Sequence, residues 1–212
     1  MEGIERVRLG SLEADTLTDG EIQRLKACGR LCPHFHLSLQ SGSDTVLQRM
    51  KRRYTTAEYY ALVQKLREAF PGCAITTDIM VGFPGETDEE FAESMAFAEK
   101  VGFAKIHVFP YSIRRGTVAA MRTNQVVPQI KSARAKEMNR LAERLERQFL
   151  ESRTGTIQTV LIEKRTSPDY CNGFTDSYIP VRIYGEDITR HTLARVKITG
   201  VEGDHCTGTT EF

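Results

Sequence analysis

The residues able to do chemistry gather where apolar runs end. Thr77-Asp78-Ile79-Met80-Val81 leads into Gly82-Phe83-Pro84-Gly85-Glu86-Thr87, and Asp88-Glu89-Glu90-Phe91 follows. The pattern reads as strand, glycine turn and helix, with Thr87 as N-cap and Glu90 at the capping-box position. Gly82 and Gly85 allow close backbone approach to a ligand, Pro84 stiffens the bend, and the helix start offers free N–H groups to an anion. The same glycines also suit an ordinary βα turn, so the turn alone names no ligand. Two further runs end similarly, His34-Phe35-His36-Leu37-Ser38-Leu39 in Gln40-Ser41-Gly42-Ser43-Asp44, and Val108-Phe109 in Pro110-Tyr111-Ser112. In parallel α/β folds, ligands sit outside such carboxyl ends of strands.

Alternation puts His34 and His36 on one face, where packing or facing a substrate suits them better than metal ligation. The densest positive run is Lys51-Arg52-Arg53-Tyr54, a solvated loop or a site for phosphate or carboxylate. The five cysteines, Cys28, Cys32, Cys73, Cys171 and Cys206, fall at irregular spacings and suggest no disulfide framework. Cys28 and Cys32 have no third cysteine near them and cannot complete an iron–sulfur cluster alone. No metal site is expected in this chain.

The elements that must position these residues follow from periodicity. Strands are expected over residues 4–12, 34–39, 74–81 and 104–109, and helices over 18–27, 45–50, 56–70 and 87–101. That order, β-α-β-α-α-β-α-β, implies right-handed crossovers and a parallel sheet, with too few strands to close a barrel. A long helix over 129–153 should bury Met138, Leu141, Leu145 and Phe149 and hold Lys131, Arg134 and Arg140 on a solvated side. From residue 154 the texture changes to short strands, a small β-barrel. Much of its aromatic content, Tyr170, Phe174, Tyr178 and Tyr184, should fill its core; any left exposed would serve RNA beside Lys164 and Arg182. The domains are thus 1–128, a connecting helix 129–153, and 154–212. With 29 basic and 28 acidic side chains the chain is no polybasic binder, and any RNA contact must be local. No signal peptide or long apolar run is present, which favours a cytoplasmic protein with no membrane partner.

Arg8-Leu9-Gly10-Ser11-Leu12-Glu13, His36 to Asp44, Met50-Lys51-Arg52-Arg53-Tyr54, Thr77 to Thr87 and Val108 to Ser112 together resemble the radical S-adenosylmethionine (SAM) methylthiotransferases. The resemblance implies a partial (βα) barrel of the radical SAM type, followed by a TRAM-like β domain. The closest branch is the one that adds a methylthio group to C2 of threonylcarbamoyladenosine in the tRNA anticodon loop. The branches acting on isopentenyladenosine or on a ribosomal-protein aspartate are alternatives, as is a non-catalytic RNA-binding role. The family uses SAM and 4Fe-4S clusters, and the Cys-x-x-x-Cys-x-x-Cys loop that holds one of them is not in these residues. The chain therefore reads as the C-terminal part of such an enzyme, inactive alone, whose partners are tRNA and the missing N-terminal part. Gln40, Ser41, Asp78, Gly82, Gly85, Glu86 and Tyr111 are the expected cofactor-side residues. Arg53, Lys164 and Arg182 are expected to meet substrate or RNA, and no catalytic residue or metal ligand is expected here.

Overall fold

The computed structural model describes residues 3–165, 167, 169–185 and 189–211. The first half runs β1 (Ser11–Leu12), α1 (Asp19–Ala27), β2 (His34–Leu37), α2 (Asp44–Arg49), α3 (Thr56–Ala69), β3 (Ala74–Val81), α4 (Asp88–Val101) and β4 (Lys105–Pro110). The four strands form one sheet in the order β1-β2-β3-β4, every neighbour parallel. Helix starts follow local chemistry: Thr18, Thr55 and Thr87 each accept the N3 amide while Glu21, Glu58 and Glu90 accept the cap's own N–H.

The strand expected over residues 4–12 shrinks to Ser11–Leu12 and an isolated bridge between Val7 and Leu31. This segment is the sheet's edge and pairs on one side only. Its arginines also reach away from the sheet, Arg6 donating to Thr159 O at 2.8 Å and to Phe174 O at 3.4 Å.

Alternation divides the sheet into two faces. Phe35, Leu37, Ile75, Ile79, Val81 and Ile106 bury themselves against Tyr59, Leu62, Val63 and Leu66 of α3 and Phe91, Phe97, Ala98 and Val101 of α4. Each such side chain contributes about 1.5–3 kcal/mol by leaving water. The register puts His36, Thr76 and Lys105 in one row across the opposite face, with Asp78 beside His107 in the next.

Helix α5 (Pro128–Glu151) closes this unit with buried Met138, Leu141 and Leu145. Arg134, expected on the solvated side of α5, is instead buried, because two carboxylates of the α4 entry turn draw its guanidinium inward. Beyond α5 come β5 (Ile157–Arg165), β6 (Tyr170–Thr175), β7 (Pro180–Tyr184), β8 (Leu193–Glu202) and β9 (His205–Thr210), closed in the order β5-β6-β7-β9-β8.

The barrel's core is aliphatic, and this corrects the expectation that aromatics would fill it. Val160, Ile162, Cys171, Ile179, Val181, Ile183, Val196, Ile198 and Cys206 pack inside, joined by Leu150 from α5. Along β6 the alternation turns Cys171 inward and leaves Tyr170 and Phe174 only half-buried; Tyr178 and Tyr184 are exposed. Glycine explains the thin interior at two points: a Cβ at Gly173 or Gly208 would meet neighbouring backbone within 2.6 Å.

Candidate functional site

The turns at the carboxyl end of the sheet are built tightly. Gln40 takes a left-handed backbone, φ +69°, and still bridges to β3, its N–H donating to Asp78 O and its C=O accepting from Met80 N, both at 2.8 Å. Ser41 is wholly buried with its Oγ 3.1 Å from Ser94 Oγ of α4, and Gly42 N–H donates to the same hydroxyl at 3.0 Å. At Gly42 a Cβ would lie 2.8 Å from Ser94 Cα, so only glycine lets this turn sit on the helix. Tyr54 braces the strand end from below, its hydroxyl donating to Ser38 O at 2.6 Å.

The Gly82–Glu86 turn is locked from within. Glu86 accepts from Gly82 N–H at 2.6 Å and from Arg134 at 2.8 Å, while Arg134 also reaches Asp88 at 2.7 Å. Burial pushes the Glu86 carboxyl above its ordinary range, and the Gly82 amide and Arg134 oppose that push. Gly82 and Gly85 hold φ +70° and +81°, and the segment between β4 and the long helix covers the turn through Asn124, whose C=O accepts from Gly85 N–H at 2.8 Å. Tyr111 is buried edge-on against Phe83 at 5.5 Å, its hydroxyl without a partner among the described residues. Lys131 donates to the Tyr111 carbonyl at 2.9 Å.

Of the residues expected at a cofactor pocket, Asp78 stands on the open face, with Oδ2 3.3 Å from His36 Nε2. Ser41 and Glu86 point their polar atoms into the helix layer rather than across the open face. His107, not singled out from the sequence, faces His36 at 5.9 Å; the alternation of β4 carries the signal that finds it.

Arg53 is exposed, while its neighbour Arg52 is held by Glu13 at 2.6 Å. On the barrel, Lys164, Asn172 and Arg182 stand in register across β5, β6 and β7. The Arg182 guanidinium lies 4.6 Å over the Tyr170 ring and 3.4 Å from Glu202, and Tyr170 meets Tyr184 at 5.9 Å. Cations beside exposed rings suit a nucleic-acid strand. The sheet site and this row lie on different units, and neither was visible as a cluster in the sequence.

No group of three histidines, cysteines or carboxylates among the described residues could hold a metal ion. Cys73 and Cys206 are pushed up to about 11 by burial, the opposite of thiolate ligands.

A family model for the radical SAM superfamily matches residues 4–98. The threonylcarbamoyladenosine tRNA methylthiotransferase MtaB of Bacillus subtilis is 37% identical over 202 residues, covering 93% of this chain and 45% of that protein. Along 93% of its length the chain is similar to a methylthiotransferase, and residues 4–98 match the radical SAM superfamily. The same-named protein of Chlamydia pneumoniae is 40% identical over 164 residues, 77% of this chain and 39% of the relative. The tRNA-2-methylthio-N(6)-dimethylallyladenosine synthase of Symbiobacterium thermophilum is 37% identical over 199 residues, 93% of this chain and 42% of the relative. This chain thus spans less than half the length of these curated relatives. Coproporphyrinogen III oxidase (HemN) of Escherichia coli, described as a radical SAM enzyme, shares the fold at a TM-score of 0.56 and 20% identity. That likeness covers 68% of this chain and 33% of that one. The family implies SAM and a 4Fe-4S cluster, and the described residues do not supply the cluster's ligands.

Proposed function

We propose that this chain forms part of a cytoplasmic tRNA methylthiotransferase that modifies C2 of threonylcarbamoyladenosine in the anticodon loop. The observation that carries this reading is the 37% identity to the B. subtilis enzyme over 93% of the chain, spanning sheet and barrel alike. In this reading residues 1–128 are part of the catalytic barrel, 129–153 the connecting helix, and 154–212 a TRAM domain. A segment outside these residues holds the cluster, so the chain alone forms no product. No helix among the described residues is long and apolar enough to cross a membrane.

The chain's own work is binding and orientation. Asp78 and Gln40 border the SAM side, Ser41, Gly82, Gly85 and Glu86 fix the turns that shape it, and Tyr111 backs it. Arg53 receives a carboxylate of cofactor or substrate, and Lys164 and Arg182 receive tRNA phosphates. Equal identity to the dimethylallyladenosine enzyme supports that substrate as the second reading.

The isolated chain should bind threonylcarbamoyladenosine-containing tRNA in a salt-dependent way and leave its nucleosides unchanged. Lys164→Glu with Arg182→Glu should weaken binding about tenfold or more and flatten the salt dependence. Loss of tRNA binding by the unaltered chain, or product formation without a further segment, contradicts the reading.

A further inference from the structure

Building on the tRNA assignment, we propose that the 112–122 segment between β4 and α5 grips the unpaired loop of an RNA hairpin. Arg114, Arg115 and Arg122 take backbone phosphates, and Phe109 at the end of β4 stacks a splayed base. The site is separate from Arg53 and from the Lys164 and Arg182 row of the barrel.

Charge is the first sign of this surface. No Asp or Glu lies between Glu99 and Glu137, whereas eight Lys or Arg do. Lys105, Lys131 and Arg134 of that set are held by Glu146, the Tyr111 carbonyl and Glu86. Arg114, Arg115 and Arg122 have no carboxylate or hydrogen-bond acceptor for their guanidinium groups among the described residues. Three unneutralised cations within nine residues of chain call for a polyanion.

The side chains around them decide which polyanion. Phe109, Ile113, Val118 and Met121 are each more than half exposed. Phe109 stands on the open face of the sheet, in the row after Asp78 and His107. A free aromatic face suits an unpaired base, whereas the bases of a duplex are already stacked on one another. The cations are all arginines, whose planar fork fits phosphate and also lies flat on bases. A lipid surface is served less well, because the segment's one helical piece, Ala119–Met121, is too short to offer a continuous apolar face.

The segment holds its shape without a core of its own. The Thr117 hydroxyl donates to Arg114 O at 2.8 Å and accepts from Ala120 N–H at 3.2 Å. Gln125 Nε2 donates to Ala119 O at 2.8 Å and to Arg122 O at 3.0 Å. Asn124 then pins the segment to the Gly82–Glu86 turn through Gly85. Side chains carried on so fixed a frame lose little further freedom when a partner arrives.

The test titrates the 212-residue chain with a synthetic RNA stem-loop and with the blunt duplex of the same stem, at several salt concentrations. The stem-loop should bind more tightly than the duplex. Arg114→Gln with Arg115→Gln and Arg122→Gln should weaken it about tenfold or more and lower the salt slope by about 2, with thermal melting unchanged. Phe109→Ala should remove about tenfold of the preference for the stem-loop and leave the salt slope intact. Undiminished binding by the triple variant, while Lys164→Glu with Arg182→Glu weakens it, would overturn this site and leave the tRNA assignment standing. Equal affinity for stem-loop and duplex would overturn it too, as would equally tight, arginine-dependent capture by anionic lipid vesicles. An unaltered chain that binds no RNA would defeat both the site and the assignment.

Discussion

Glu86 and Arg134 show what a residue's type leaves unsaid. A glutamate after a glycine turn reads as ligand-facing, and an arginine on a charged helix reads as solvated. The fold instead buries both against each other, with side-chain exposures of 1% and 7%. Removing one partner of such a pair costs far more than removing both. Arg134→Leu should destabilise the chain by about 3–5 kcal/mol in urea unfolding, and Glu86→Leu with Arg134→Leu by clearly less. Equal losses would mean that the pair is not the clamp of this turn. Glycines can be ranked in the same way. Gly42→Ala places a Cβ 2.8 Å from helix backbone that cannot yield, whereas at Gly102 no atom lies within 4 Å. The Gly102→Ala cost is then its φ of +64°, about 1 kcal/mol, and Gly42→Ala should cost more, up to about 3 kcal/mol. A reversed order in thermal melts would contradict the packing described.

At the scale of elements, helix caps were legible in sequence because each is a local exchange of hydrogen bonds. Thr18 and Thr87 sit where threonine and glutamate are three apart, and each forms both bonds; Thr55, one residue before the expected start at 56, does the same. Parallel pairing was legible too, since crossover helices leave little choice. The edge strand was not, because alternation marks which residues face inward and says nothing of whether a partner exists. Links between elements also lie outside local pattern. Arg49 of α2 grips Glu90 of α4 through two hydrogen bonds, and this, first among its causes, holds the Glu90 carboxyl down to about 2 from 4.5. A carboxyl depressed in the fold stabilises above its unfolded value, and that stability is lost as pH falls from 4.5 toward 2. His34, a base depressed from 6.5 to about 4, likewise stabilises above 6.5 and loses that contribution as pH falls toward 4. Stability should therefore drop in two stages on acidification, each with a slope of up to about 1.4 kcal/mol per pH unit. His34→Phe should remove the upper stage and Arg49→Gln should reduce the lower one. Unfolding curves that keep both stages in these variants would rule out this origin.

At the scale of the whole molecule, two cores are joined by few but specific contacts. Leu150 carries α5 into the barrel core, and Arg6 ties the first segment to Thr159 and Phe174 carbonyls. Arg6→Ala should speed amide exchange in β5 and β6 with little change in α3 or β3; a uniform change would mean that the units do not open separately. The closed barrel was visible as a change of texture near residue 154. The barrel's inner and outer residues were not, because a small aliphatic core leaves its tyrosines outside and only closure of the strands reveals it. Nor could the sequence bring Lys164, Asn172 and Arg182 into one row, which strand register alone creates.

Nucleoside mass analysis of tRNA tests the proposed methylthiolation of threonylcarbamoyladenosine. The tRNA would come from cells lacking their own such enzyme and supplied with this chain fused behind the N-terminal portion of the B. subtilis relative. Methylthio-threonylcarbamoyladenosine should return with that fusion, disappear with Asp78→Ala in it, and be absent with the 212-residue chain alone. A stable fusion that yields only methylthiolated dimethylallyladenosine, or no methylthiolated nucleoside at all, would contradict the assignment.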